Sequence, residues 1–322
     1  MNILVLGGTQ FVGLRLVKLL IEKSHRVTVL NRGLSRASLP DGVAQLIADR
    51  SQPAAVRAAL SGKTFDAVID TFAFKPEEVQ PVLDGLAGAF AQYILCGSTG
   101  YYMPTDVTPI DEEQPVYDEA DKIQSEQLLL NSAADGGFTA TVIRPPVVYG
   151  PCNPITNRES SLFAQITHER PVVLTGTGAS LLHPIHVDDL AAAFERAAGN
   201  DAAAGRIYNV AARYASSQKV LVSTIAAVMG MPLQLILTGN CPVEDRFLES
   251  RDLFPFGHDS TITYNSEKIR YGLGWQPQYS LRDGLAMTYQ WWLDEGLDKV
   301  EPNFEPQDEL INHATSLGAV IS

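Results

Sequence analysis

Residues 3–13 read ILVLGGTQFVG, and this stretch decides how the rest of the chain is interpreted. Four apolar residues, Ile3 to Leu6, precede a glycine-rich turn, and an apolar helical pattern follows it. A second apolar run, Val27 to Leu30, ends at Asn31 and Arg32. Glycines between a strand and a helix let the backbone approach a ligand that a Cβ would exclude, and the helix start offers N–H groups to a phosphate. The stretch therefore predicts nucleotide binding, because its flanking elements lie where a dinucleotide site requires them.

The composition describes a globular chain with an acidic surface. Of the 322 residues, 45% are hydrophobic, and the formal net charge is −13 with a pI near 4.9. Such a surface should repel nucleic acid and anionic membranes, so neither is an expected partner. No apolar run reaches the roughly twenty residues that a membrane span needs.

Cysteine and histidine usage argues against disulfides and metal sites. Cys96, Cys152 and Cys241 are odd in number and lack metal-ligand spacing, so a reducing cytoplasm is the expected compartment. His183 and His186 lie close together without a third ligand, so no metal site is predicted. No basic segment followed by an apolar one is seen near residue 1, so no signal peptide is expected.

Strands and helices alternate over the first 145 residues or so. Further apolar strands are predicted near Gln45–Ala48, Asp66–Asp70, Tyr93–Cys96 and Thr139–Arg144, with helical patterns between them. Such alternation implies right-handed crossovers and a parallel sheet. The predicted fold is α/β, a doubly wound parallel (Rossmann) sheet with a smaller C-terminal substrate lobe.

Three regions follow from this pattern. Residues 1–150 are predicted to form the dinucleotide-binding Rossmann domain, with ligands at the carboxyl ends of the strands. Residues 151–297 are predicted to be mainly the substrate lobe, with elements such as Ile207–Val210 returning to the sheet. Residues 298–322 show little periodicity and are predicted to be a C-terminal tail.

Four motifs occur in an order that is specific. They are the Gly7-Gly8 turn, Arg144-Pro145-Pro146 with Val148-Tyr149-Gly150-Pro151, His186-Val187-Asp188-Asp189-Leu190, and Leu273-Gly274-Trp275-Gln276-Pro277. Together they resemble the extended short-chain dehydrogenase/reductase superfamily of NAD(P)-dependent epimerases and dehydratases. The resemblance runs from Met1 to about Trp292. The form GGTxFxG, with Gln10 where a glycine is usual, looks like the atypical branch that includes the chloroplast stem-loop RNA-binding proteins.

The resemblance implies a catalytic centre that this chain carries only in part. Members use a serine after a strand and a tyrosine four residues before a lysine, whose charge lowers the phenol pKa from its usual value near 10. Ser98 fits the serine and Lys122 the lysine, but the residue four before Lys122 is Asp118. Tyr117 lies five before, and one residue of slip rotates a side chain by about 100° around a helix.

Three interpretations of the missing tyrosine stay open. Tyr117 reaches the site because the helix begins late and irregularly, or Tyr101 or Tyr102 acts from the loop after the strand, or the centre is inactive and the fold is kept for binding. Asp118 is a poor substitute, because a carboxylate is ionised at neutral pH and has no proton to donate.

The end of the second strand favours NADP(H), with NAD(H) as the alternative. NAD-binding relatives place an acid there to hold the ribose hydroxyls, whereas this chain has Asn31 followed by Arg32. Loss of the carboxylate removes repulsion toward a 2′-phosphate, and arginine offers a bidentate partner. The predicted cofactor contacts are Gly7, Thr9, Gln10, Phe11, Val12, Gly13, Asn31, Arg32, Asp49, Arg50, Ala73 and Lys122, and the predicted catalytic residues are Ser98, Lys122 and Tyr117.

The sequence thus leaves three functions to be distinguished. The first is an NAD(P)-dependent epimerase, dehydratase or reductase acting on a nucleotide sugar or a similar small molecule, with an altered catalytic site. The second is a cofactor-binding scaffold or RNA-binding relative of the stem-loop RNA-binding proteins without dehydrogenase activity, against which the acidic charge counts. The third is a regulatory protein that senses the NADP(H) ratio. A homodimer formed through a helix pair, as is common in the superfamily, is left open.

Overall fold

The computed structural model describes residues 1–35, 39–155, 158–250, 253–257 and 261–321. The chain divides into two compact units. Unit 1 comprises Met1–Pro146, Val187–Ala211 and Tyr264–Pro277, and unit 2 comprises Val147–His186, Ala212–Thr263 and Gln278–Ser322. The first stretch of unit 1 ends four residues before the predicted boundary at 150, and two later stretches return to it.

Unit 1 is built on a seven-stranded parallel sheet. Its strands are β1 (Asn2–Leu6), β2 (Arg26–Asn31), β3 (Ala44–Ile47), β4 (Phe65–Asp70), β5 (Phe90–Cys96), β6 (Thr139–Arg144) and β11 (Arg206–Asn209). Their order is β11-β6-β5-β4-β1-β2-β3, and every neighbouring pair is parallel. The strand order reverses at β1, which confirms the predicted doubly wound sheet.

Helices cover the two faces of this sheet. They are α1 (Phe11–Glu22), α2 (Pro53–Leu60), α3 (Pro76–Leu86), α4 (Asp121–Ala134), α6 (Val187–Ala197) and α9 (Glu267–Leu273). Helix α1 packs against α6, whereas α2, α3 and α4 pack side by side. Leu4 and Leu6 belong to the core cluster beneath α2, α3 and α4. Because side chains alternate along a strand, Ile3 and Val5 face the opposite layer.

Unit 2 has short strands and its own core. Its strands are β7 (Val148–Tyr149), β8 (Val172–Leu174), β9 (Leu181–Leu182), β10 (Ile185–His186), β12 (Ser216–Ser217), β13 (Leu235–Leu237) and β14 (Val320–Ile321). They pair as β10-β7, β12-β9 and β14-β13-β8. Its helices are α5 (Glu159–Thr167), α7 (Gln218–Met229), α8 (Asp245–Leu248), α10 (Leu281–Asp294) and α11 (Glu305–Ser316). Phe163, Leu221 and Trp292 are among the side chains buried in one cluster of this unit.

The stretch predicted to be a tail contains helix α11 and strand β14. Leu310 and Ala314, one helical turn apart, are buried in a cluster with Val173 and Ile236. Two apolar positions are too few to produce a visible sequence period, which is why the pattern did not predict this helix. No helix in the described ranges is long and apolar enough to cross a membrane.

Candidate functional site

The glycine turn lies between β1 and α1, at the carboxyl edge of the sheet. Gly7 has a φ of +86°, a conformation that L side chains rarely adopt. A Cβ on Gly13 would overlap the carbonyl oxygen of Gly7, so this position accepts glycine alone. The two glycines therefore allow the helix to begin directly against the strand end.

The helix that follows the turn has an uncapped N-terminus. Gln10 is the N-cap residue of α1 and makes no side-chain capping hydrogen bond, and its side chain is exposed. Phe11 has a left-handed backbone with a φ of +39° and, like Thr9 and Val12, is half-buried. The first N–H groups of a helix without a cap need another acceptor, and an anion is the usual one.

Asn31 ends strand β2, which lies next to β1 in the sheet, and Arg32 follows it. The Asn31 side-chain oxygen accepts the Gly33 backbone N–H at 2.7 Å and the Gln45 amide at 3.0 Å. Its Nδ2 is buried and has no hydrogen-bond partner among the described residues. Arg32 is exposed. Donors and positive charge, and no carboxylate, thus stand at the position where NAD-binding relatives carry an acid.

Asp49 and Arg50 follow β3 and have different roles in the structure. The Asp49 carboxylate accepts the Ser51 backbone N–H and hydroxyl, each at 2.9 Å, and these bonds lower the Asp49 pKa, with a smaller contribution from the Arg32 charge. The Arg50 guanidinium is paired with the buried carboxylate of Asp70 at the end of β4. Asp49 thus lies near the Arg32 charge, whereas the Arg50 side chain is held against Asp70 at the carboxyl end of β4.

The loop after β4 leads from the glycine turn toward Lys122. A Cβ on Gly7 would lie 3.2 Å from Phe72 Cβ, so the turn and the loop are in direct contact. Ala73 is buried, and its carbonyl oxygen accepts a hydrogen bond from the Lys122 ammonium. The Lys122 nitrogen also lies 4.8 Å from the centre of the Phe74 ring. Lys122 is only 4% exposed.

Ser98 lies just beyond β5 and begins a short 3₁₀ turn, Thr99–Tyr101. Its hydroxyl accepts the Gly100 backbone N–H at 3.1 Å, and the residue is half-buried. Cys96, at the end of the same strand, is unsuited to be a nucleophile, because burial raises the pKa of its thiol to about 11.

The predicted tyrosine does not share a helix with Lys122. Helix α4 begins at Asp121, so Tyr117 and Asp118 lie in the preceding loop. Tyr117 is 47% exposed, and its backbone N–H donates to the Tyr101 carbonyl oxygen at 2.9 Å. Helical spacing therefore does not relate Tyr117 to Lys122, because the residues before Asp121 are not helical. Asp118 instead accepts a hydrogen bond from the side chain of Gln127 at 3.0 Å.

Two other tyrosines lie nearby. The buried hydroxyl of Tyr102 donates to Asn209 Oδ1 at 2.7 Å, so its proton is already engaged in the protein. Tyr264 interacts through its side chain with Thr99, next to Ser98, and burial raises its pKa. Sequence reasoning missed Tyr264, since it lies more than 160 residues after Ser98 and in no recognisable motif.

One turn after Lys122, α4 carries a buried ion pair. The Glu126 carboxylate accepts hydrogen bonds from Arg144 Nε at 3.0 Å and Nη2 at 2.5 Å. Among the described residues no group of three or more His, Cys, Asp and Glu side chains could hold a metal ion.

The chain matches a known family over most of its first 211 residues. Residues 3–80 and 79–211 match the model of the NAD dependent epimerase/dehydratase family. The chain belongs to this family. The chloroplast stem-loop binding protein of 41 kDa b from Arabidopsis thaliana is 31% identical, over 97% of this chain and 84% of its own length. Both findings confirm the resemblance stated from the sequence.

A second relative is an enzyme, and a solved structure supports the fold. The 2′-dehydrokanamycin reductase of Streptomyces kanamyceticus is 28% identical, over 72% of this chain and 68% of its own length. UDP-glucose 4-epimerase from Bifidobacterium longum, solved with NAD⁺ and UDP, has a TM-score of 0.74. The likeness covers 92% of this chain and 100% of that one at 17% identity, and so it supports the fold alone.

Proposed function

We propose that unit 1 binds a nicotinamide dinucleotide along the carboxyl edge of its sheet, with a preference for NADP(H). The observation that carries this proposal is the uncapped start of α1 behind a turn that only glycine can form at Gly13. Backbone N–H groups at a helix start, approached closely because no Cβ intervenes, are suited to a pyrophosphate.

The residues on either side of the turn fit the rest of such a cofactor. Asn31 supplies a buried Nδ2 whose hydrogens find no acceptor in the described part of the chain, and Arg32 supplies an exposed cation. A 2′-phosphate would accept from both, whereas an acid at this place would repel it. Lys122 supplies a buried ammonium with three donors, of which one is directed at Ala73. The ribose hydroxyls of a cofactor are suitable acceptors for the others.

The chemistry proposed is oxidation or reduction at a hydroxyl or carbonyl carbon of a nucleotide sugar or a similar small molecule. The nicotinamide ring supplies the hydride donor or acceptor when it is bound. Ser98 would hold the reacting oxygen through its hydroxyl, and the Lys122 charge would favour a phenolate nearby. The protein must also supply a proton, and this is the altered part of the site.

Tyr117 is the proposed source of that proton. Its backbone is anchored to Tyr101, the last residue of the 3₁₀ turn that begins after Ser98, while its side chain is exposed and lies in a loop without helical constraint. Tyr102 is less suited, because its hydroxyl already donates to Asn209.

Transfer of deuterium from [4-²H]NADPH to a panel of nucleotide-linked keto sugars tests this function. Wild-type protein should give deuterated product, and Tyr117→Phe should lower the rate by about 100-fold or more, in line with loss of a general acid. Tyr271→Phe is the control, since Tyr271 is 80% exposed on α9 and no role in the site is proposed for it. Normal NADPH binding without any transfer by wild-type protein would leave a binding protein and refute the catalytic part.

A second candidate function is recognition of structured RNA. The relative from Arabidopsis thaliana, which matches 97% of this chain, is named a stem-loop binding protein. The net charge of −13 argues against it, because phosphate binding requires clustered cations. Filter binding of a stem-loop RNA at low and moderate salt separates the two, and absence of binding at low salt excludes the RNA function.

A further inference from the structure

Two aromatic rings are exposed on the loop after β4. Phe72 is 58% exposed and Phe74 is 48% exposed, and their ring centres lie 5.1 Å apart in an edge-to-face arrangement. Neighbouring large apolar side chains that are exposed on a loop often mark a surface that makes a specific contact. The ring of Phe74 makes one such contact, with the ammonium of Lys122.

The Lys122 ammonium is buried with little polar compensation. Its nitrogen has one hydrogen-bond acceptor among the described residues, the carbonyl oxygen of Ala73, and no carboxylate pairs with it there. A buried cation is stabilised when it lies over an aromatic face, and the 4.8 Å separation between Lys122 and the Phe74 ring centre is within that range. The ring therefore stabilises an ammonium whose residue is only 4% exposed.

The backbone beneath the ring is held at four successive N–H groups. Those of Phe72 and Ala73 each donate to Asp70 Oδ1 at 3.1 Å. Those of Phe74 and Lys75 donate to the Glu78 carboxylate at 2.6 and 3.3 Å. Because the main chain is fixed in this way, the Phe74 side chain can rotate without movement of the loop backbone, and the half-exposed ring has solvent to rotate into.

We propose that Phe74 is a displaceable cover on Lys122, and that the cofactor must move it to reach the ammonium. The part that concerns the cofactor rests on the function proposed above. The ring and the ribose hydroxyls compete for the same ammonium. The apparent affinity for the cofactor therefore equals the affinity of the open form multiplied by the fraction of molecules in which Lys122 is open. Phe74 thus sets how readily the dinucleotide binds, although it forms no part of the hydride chemistry.

Removal of the ring should have the opposite effect from removal of a binding residue. A cation–π contact of ordinary strength corresponds to a factor of about two to thirty in the open population. Phe74→Ala should therefore lower the dissociation constant for NADPH by about that factor, whereas loss of a ring that stacks on the cofactor would raise it. Phe74→Tyr retains the ring face and should behave like the wild type.

Chemical labelling of Lys122 tests the cover without any cofactor. Native protein is treated with acetic anhydride, and acetylation of Lys122 is followed by peptide mass spectrometry, with the exposed Lys75 as internal reference. Phe74→Ala should raise the labelling rate of Lys122 relative to Lys75 by about two- to thirty-fold. Tyr271→Ala removes a ring that is 80% exposed in the same unit and should change nothing. Circular dichroism confirms that each variant is folded.

The labelling and binding measurements distinguish failure of the Phe74 cover from failure of the proposed cofactor site. An unchanged Lys122 labelling ratio in folded Phe74→Ala overturns the cover, as does an increased dissociation constant for NADPH. Increased labelling combined with absence of NADPH and NADH binding by both proteins supports the cover over Lys122 and refutes the proposed function instead.

Discussion

Among the described residues of unit 1, two arginines pair with a fully buried carboxylate, Asp70 or Glu126, and the two pairs differ in how completely the carboxylate is satisfied. Arg50 and Asp70 connect the ends of β3 and β4, on the side of the sheet where Asn31 and Arg32 lie. Arg144 and Glu126 connect the end of β6 to helix α4, one turn from Lys122. The first pair is part of the frame of the proposed cofactor site, and the second lies beside the proposed catalytic residues.

The Asp70 carboxylate is surrounded by donors. Besides Arg50, the Tyr93 hydroxyl donates to its Oδ2 at 2.7 Å, and two backbone N–H groups donate to its Oδ1. Burial alone would raise the pKa of Asp70, but the Arg50 charge and these hydrogen bonds hold it below its usual value. The charged form is therefore the one that this site is built to hold.

The Glu126 carboxylate is less well satisfied. Its Oε2 accepts from Arg144, while its Oε1 lies against Gly97 and has no hydrogen-bond partner that meets normal geometry among the described residues. Burial raises the pKa of Glu126 despite the Arg144 charge. Asp70, beside the proposed cofactor site, thus has donors on both of its oxygens, whereas Glu126, beside the proposed catalytic residues, is a carboxyl group that takes up a proton more easily.

Asp70→Asn should have the largest effect on stability. The substitution leaves Arg50 buried without a countercharge, and loss of one partner of a buried pair costs about 3–5 kcal/mol of unfolding free energy. Urea unfolding followed by circular dichroism measures it. Asp84→Asn is the control: it breaks an ion pair with Arg57 in which both side chains are more than 40% exposed, and should cost under about 1 kcal/mol. Equal losses in the two variants would contradict the role assigned to Asp70.

Arg32→Ala should have the next largest effect, on binding and not on folding. The Arg50 guanidinium is held by Asp70, so the exposed Arg32 is the proposed partner of a 2′-phosphate. Loss of a charge-assisted hydrogen bond of about 1.5–3 kcal/mol predicts NADPH affinity lower by roughly 10- to 150-fold, with NADH affinity unchanged. Fluorescence titration measures both. Arg206→Ala, an exposed arginine at the amino end of β11, should leave both affinities unchanged, and a parallel loss for NADH would refute the 2′-phosphate role of Arg32.

Glu126 and Asp70 should change the unfolding free energy with pH in opposite directions, and this effect is expected to be smaller than those of the two substitutions above. The raised pKa of Glu126 means that the folded protein binds its proton more tightly, so this contribution is present at low pH and is lost as pH rises through the folded pKa. The lowered pKa of Asp70 has the reverse sign: its contribution is present above the unfolded value, near 3.9, and is lost as pH falls through the folded pKa.

Glu126→Gln removes the first of these contributions. The unfolding free energy of the variant minus that of the wild type should therefore increase as pH rises above about 4.3, the pKa of glutamate in the unfolded chain. The variant thus becomes more stable relative to the wild type. The sign of this change is set by the raised pKa of Glu126, and a tenfold difference in proton affinity between the folded and unfolded chain would correspond to about 1.4 kcal/mol. Urea unfolding at a series of pH values measures it, and a difference that moves the other way would show that Glu126 is held as a carboxylate.

Sequence reasoning predicted the parts of this unit that depend on local pattern. Strand β6 occupies Thr139–Arg144 as predicted, because an apolar run between turn signals specifies a buried strand. Glycine at positions 7 and 13 predicted the turn, since a close approach of helix and strand excludes a Cβ. The seven-stranded sheet followed from the alternation of elements.

What could not be predicted depends on contacts between distant residues. Arg50 and Asp70 are 20 positions apart, and Lys122 meets the Ala73 carbonyl across 49 positions. The start of α4 is also invisible in the sequence, because its N-cap residue is Ala120, which makes no side-chain capping bond. For that reason the sequence could not decide whether Tyr117 and Lys122 share a helix.

Isothermal titration calorimetry of the wild-type protein with NADPH, and separately with NADH, measures whether the chain binds a nicotinamide dinucleotide. We expect saturable binding of one molecule per chain, tighter for NADPH than for NADH. Absence of a binding heat for both nucleotides at millimolar concentration would refute the cofactor site.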